Sequence, residues 1–170
     1  STAIRFRSEF NKHHTDSVGN SVGAAAAGAL LAGLALAGCA NKADTVPCPP
    51  ITAPVDTISA YQTTDEAGAL IDMRFNGVSA LCKVVGSGDI RMDVAIGMKL
   101  KRLDGGAVDD VVGITVGTAI VDAEDNVVAN DRIIYRAGMS KEESLKYPVI
   151  DYRVTVNPDH RLVISLLPAL

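Results

Sequence analysis

From residue 70 onward, apolar and polar residues alternate through most of the chain. Between 90 and 101 every second position is apolar, so Ile90, Met92, Val94, Ile96, Met98 and Leu100 share one face of an extended backbone. Period two over that length predicts a half-buried antiparallel strand. The same alternation over 70–75 gathers Ile71, Met73 and Phe75, and it resumes over 78–85 after Asn76-Gly77, a turn or bulge signal. Gly86-Ser87-Gly88-Asp89 reads as a tight turn. Strands are expected over 113–121 and 127–135, joined by the polar loop 122–126. Two more, 149–156 and 162–167, flank the turn sequence Asn157-Pro158-Asp159-His160. Ser140-Lys141-Glu142-Glu143 breaks the pattern, and its capping-box spacing predicts one helical turn through Leu145.

About seven or eight strands with turns at this spacing predict an all-β body over 55–170. The favoured architecture is an immunoglobulin or fibronectin type III-like antiparallel β-sandwich. A closed barrel shows the same alternation and is the alternative. A membrane-spanning barrel is disfavoured, because the strands are few and aromatic girdles are lacking.

The N-terminal part has another pattern. Residues 18–37 carry no charge and are rich in Ala, Gly and Leu, with Arg5, Arg7 and Lys12 before them. A basic start, an apolar run and small residues at its end describe a secretory signal peptide over 1–38. Leu36-Ala37-Gly38-Cys39 resembles the bacterial lipobox. That resemblance implies cleavage before Cys39, a diacylglyceryl group on its sulfur and an N-acyl chain, so that several acyl chains hold the domain to the bilayer. The competing reading is an uncleaved transmembrane helix, since ~20 residues at 1.5 Å per residue span ~30 Å of hydrocarbon. Both readings put the body outside the cytoplasm.

Residues 39–54 read as a tether. The stretch 41–45 is polar, and Pro47, Pro49, Pro50 and Pro54 forbid a helix and favour extended backbone. Ala40 follows the lipobox cysteine where an inner-membrane retention aspartate would stand, which points to the outer membrane. Cys48 and Cys82 then form an even pair in an oxidising compartment, read as a disulfide that staples the tether to the body. A redox pair is the alternative, but it lacks a CxxC spacing.

Composition narrows the chemistry. Sixteen Lys and Arg against 20 Asp and Glu leave a net charge of −4 over 170 residues, and aromatics are 4% with no Trp. That balance offers neither the basic face nor the stacking rings of a nucleic-acid binder. His160 is the only histidine beyond Cys39 and sits in a turn. No Gly-x-Ser-x-Gly elbow is present in the body over 55–170, and Gly86/Gly88 open a hairpin rather than a phosphate loop. Asp122, Glu124 and Asp125 lack EF-hand spacing and read as a solvated loop before a calcium site. Lys99, Lys101 and Arg102 read first as charges guarding a strand edge against aggregation, and second as contacts to anionic head groups. No catalytic residue, metal ligand or cofactor is assigned beyond the lipid on Cys39.

Cys48-Pro49, the Gly77-Val78 segment leading to Cys82, the strand 90–102 and the hairpin 119–128 together resemble an uncharacterised lipoprotein family of alphaproteobacteria. The resemblance implies a lipidated anchor and a β-sandwich body, and it brings no activity. The hairpin over 157–170 departs from it. The expected function is therefore a non-enzymatic envelope lipoprotein whose sandwich is an interaction or assembly module, with membrane lipid and an envelope protein as partners. Two alternatives stand beside it. One is a single-pass anchored subunit. The other is a periplasmic ligand-binding or hydrolytic domain, in which groups such as Asp72, Arg74 or His160 converge on a pocket.

Overall fold

Alternation becomes structure most plainly in β5 (Ile90–Arg102), where burial switches at nearly every residue. Ile90, Met92, Val94, Ile96, Met98 and Leu100 all point inward, as their spacing requires. The computed structural model describes the backbone of residues 3–5 together with residues 45–104 and 108–168. The other strands are β1 (Ala3–Arg5), β2 (Ile51–Pro54), β3 (Ser59–Thr63), β4 (Leu70–Val84), β6 (Asp110–Val121), β7 (Val127–Met139), β8 (Leu145–Lys146), β9 (Val149–Val156) and β10 (Arg161–Leu167). A single 3₁₀ turn, Val55–Thr57, is the only helical element among the described residues. The lipobox, Leu36 to Cys39, and the apolar run 18–37 lie outside them.

The strands form two sheets, antiparallel but for one pairing. The first has the order β1-β2-β10-β6-β7, with β2 and β10 parallel. The second has the order β3-β4-β5, and β8 and β9 lie end to end along the far side of β5. Their inner faces share one core. Ile71, Met73, Met92 and Met98 come from the second sheet, and Ile114, Val116, Leu162 and Ile164 from the first. This two-sheet, nearly all-β arrangement is the architecture the alternation predicted. In an immunoglobulin domain the sheets read A-B-E-D and C-F-G. Here the long strands β4 and β5 instead pair with each other as a hairpin, and β6 and β7 do the same in the opposite sheet.

Three local readings are refined. Of turn and bulge, Asn76-Gly77 is the bulge: β4 runs through it, and its register to β5 shifts between Phe75 and Val78. Gly77 has φ +122°, open to glycine, and an ideal Cβ on Gly97 opposite would sit 3.2 Å from the Gly77 carbonyl. The Ser140 segment forms a tight turn, in which the Glu143 carboxylate accepts from the Ser140 amide at 3.2 Å. Leu145–Lys146 then pairs with β5 instead of winding into a helix, because the ladder offers both backbone groups a partner. The Pro-rich segment is extended as expected, yet its second half is built into the body. Ile51 and Thr52 pair with β10, and Val46 and Cys48 pack against the core.

Candidate functional site

Four places on the molecule bear on function. The first is where the tether meets the domain. Thr45 bridges Lys83, the Val46 amide donates to the Cys82 carbonyl at 3.1 Å, and Cys48 and Cys82 form a disulfide with Cα atoms 5.3 Å apart. β3 pairs only with residues 70–74, so the upper half of β4 would be bare on that side. The segment from Thr45 covers it there. The expected staple is therefore present in the geometry. Cys39 itself lies outside the described residues.

The second place is β7. Among the described residues it closes the first sheet and pairs only with β6. Residues 127–132 are exposed on both faces, so this half of the strand stands clear of the core. Val127, Val128 and Ile134 are exposed by 59, 52 and 71%. The far edge of β7 thus offers unpaired backbone groups beside apolar side chains, the geometry of strand addition.

The third place is the outer face of the first sheet beside β7. Two open hollows of about 510 and 280 Å³ share Arg132 and Leu167. Gly117 contributes no side chain there, and Ser165 and Leu167 lean into the space above it. The hollows lie on the outside of the sheet.

The fourth place is the outer face of the second sheet. Arg74, Lys83, Arg91, Lys99, Lys101 and Arg153 project there with Asp72, Asp93 and Asp151, as the alternation of β4, β5 and β9 requires. Asp72 accepts from Arg74 Nη2 at 2.6 Å, and that hydrogen bond, followed by the charge of Asp72, raises the Arg74 pKa. Asp93 is paired with Arg153, whose hydrogen bond holds its carboxyl below the usual range. Lys99 and Lys101 make no ion pair among the described residues. The edge-guarding role expected for them has no edge to act on, since β5 has neighbours on both sides. Arg102 turns inward, is buried, and donates to the Lys141 carbonyl at 3.4 Å.

The polar residues considered for a pocket do not all meet. Asp72 and Arg74 sit beside Lys101 and Lys99, near the end of β5. His160 lies past Val156, which pairs with Ile90 at the other end of β5. About 35 Å of strand separates the two positions. His160 instead neighbours Asp122, whose carboxylate accepts from the amides of Glu124 and Asn126. Those bonds, led by Asn126, lower its pKa. Asp125 turns to Arg161 of β10 at 2.6 Å, so the carboxylate of Asp122 is spent on its own turn and that of Asp125 on a neighbouring strand. Among the described residues no group of three His, Cys, Asp or Glu side chains gathers as a metal site.

Comparison with family models, curated proteins and solved structures finds no match. Among the described residues no helix is long and apolar enough to cross a membrane. The residues that the sequence reading passed over are mostly strand positions. Tyr61, Leu81 and Val128 gain meaning only from the face or edge on which pairing places them.

Proposed function

We propose that this chain is a cell-envelope lipoprotein, acylated at Cys39, whose two-sheet domain is a non-enzymatic interaction or assembly module. Its kinship would be with the alphaproteobacterial lipoproteins it resembles, and its site the periplasmic face of the outer membrane. The immunoglobulin-style reading is kept as a two-sheet architecture with this chain's own strand order. The observation that carries the interaction role is β7, a 13-residue strand that among the described residues is paired on one side only, with Val128 and Ile134 exposed beside it. An envelope protein adding a strand there would satisfy the backbone and cover the apolar residues. The disulfide supports an oxidising compartment. On this reading residues 1–38 are removed, β1 leaves with them, and β2 becomes the edge of the first sheet.

Two measurements test the proposal. Protein extracted from native membranes is expected to begin at Cys39, with the mass of its N-terminal peptide raised by a diacylglyceryl group and an acyl chain. A mass that retains residues before Cys39 overturns the lipoprotein reading and favours the single-pass anchor. A photo-crosslinker at Val128 is expected to capture a protein partner in cells, while one at Ser59 is not. No adduct at Val128 removes the module reading. The hollow of about 510 Å³ favours a second reading, a small ligand held on the first sheet. A bulky residue at Ala119 would then abolish ligand binding and leave capture at Val128 intact.

A further inference from the structure

We propose that the outer face of the second sheet lies against an anionic lipid surface, so that the domain rests on its side at the membrane. The inference depends on the lipoprotein reading and adds an orientation to it. Only residues 40–44 separate Cys39 from Thr45. Fully extended, six Cα steps reach about 20 Å. Thr45 is bridged to Lys83 near the end of β4, so a lipid anchor at Cys39 keeps that end of the second sheet within about 20 Å of the head groups.

What faces outward from that sheet suits such a surface. Arg74, Lys83, Arg91, Lys99, Lys101 and Arg153 outnumber Asp72, Asp93 and Asp151, although the whole chain carries a net charge of −4. The carboxylates Asp72 and Asp93 are engaged by arginines, whereas Lys83, Lys99 and Lys101 make no ion pair among the described residues. Among these charges stand Tyr61, Leu81 and Val149, exposed by 64, 60 and 53%. Basic side chains interleaved with a tyrosine and two aliphatic residues match the chemistry of an anionic interface. The ends of the sandwich do not. Asp65, Glu66, Asp104 and Asp109 lie at one, and Asp122, Glu124 and Asp125 at the other. Arg136 and Arg161 pair with Asp65 and Asp125, but the remaining carboxylates make either end a poorer match to an anionic bilayer than the face of the second sheet.

The test uses the acylated chain on vesicles of phosphatidylcholine, with and without phosphatidylglycerol. The chain has no tryptophan, so Tyr61→Trp supplies a single indole on the proposed face and Ile134→Trp one on the opposite sheet. Brominated lipid is expected to quench the first and not the second, only when phosphatidylglycerol is present, and less so at high salt. Each cation near an anionic surface changes the docked-to-lifted ratio by about fivefold. Reversing Lys83, Lys99 and Lys101 to Glu should therefore abolish quenching while the protein still sediments with the vesicles. Sedimentation without quenching of the Tyr61→Trp indole, or equal quenching on both faces, overturns the orientation alone. Failure to sediment with either vesicle overturns the lipoprotein reading and the orientation with it.

Discussion

Asp110 shows how much one side chain contributes once the fold has placed it. It opens β6 and accepts from the amides of Glu66, Ala67 and Val111 at 3.1, 2.8 and 2.7 Å, tying the β3–β4 turn of one sheet to a strand of the other. The Thr64 hydroxyl, then these amides, hold its carboxyl well below the usual aspartate range. The folded chain therefore takes up that proton less readily than the unfolded one. The stability it contributes is complete above the ordinary value of about 4 and is lost as the pH falls through the depressed one. Asp110→Asn is expected to lower the melting temperature at neutral pH and to differ less from the parent at about pH 3, as thermal unfolding at the two pH values would show. A larger deficit in acid would contradict this account. Nothing in the sequence around Asp110 marks it, because apart from the adjacent Val111 amide its partners lie more than 40 residues away.

At the scale of elements, the bulge in β4 and the free side of β7 make different demands. Gly97 in β5 faces the Asn76-Gly77 bulge, where an added Cβ meets a backbone carbonyl at 3.2 Å rather than a side chain that can swing away. Gly97→Val is expected to destabilise the protein by about 1–3 kcal/mol, measurable by urea unfolding. Ile134 is 71% exposed on β7. Ile134→Lys should leave stability within about 0.5 kcal/mol of the parent and yet weaken partner capture at Val128. A large loss of stability would mean that Ile134 packs within the domain and is not free for a partner. Strand positions in β4 to β7 could be read from alternation, because a face in the core selects apolar residues at period two. β2 and β3 were not, being four and five residues long with too little pattern to separate from loop.

For the whole molecule, the disulfide and the short tether decide how the domain is closed and held. Cys48 and Cys82 are 34 residues apart, a loop worth about 4 kcal/mol in the chain-entropy account. Replacing both by Ala should cost about 3–4 kcal/mol in denaturant unfolding and should raise amide exchange at Val46 and along 78–84. Exchange unchanged there would show that the Val46–Cys82 hydrogen bond holds the segment without the covalent link.

The all-β class, the long strands, the extended Pro-rich segment and the cysteine pairing were all legible in the residues alone, because each rests on local rules. Alternation answers to the pleat of one strand, proline to its own ring, and the pairing of Cys48 with Cys82 to their being the two cysteines left once Cys39 is read as the expected lipid anchor. The order of strands, the continuation of β4 through its bulge, the open edge of β7 and the charge of the second sheet's outer face belong to the tertiary structure. Each is set by which strands become neighbours. A period-two pattern says that a residue faces inward or outward, but not whose side chains stand beside it. Lys99 and Lys101 became members of a broad basic face, and not guards of an edge, only when β4 and β8 paired on either side of that end of β5.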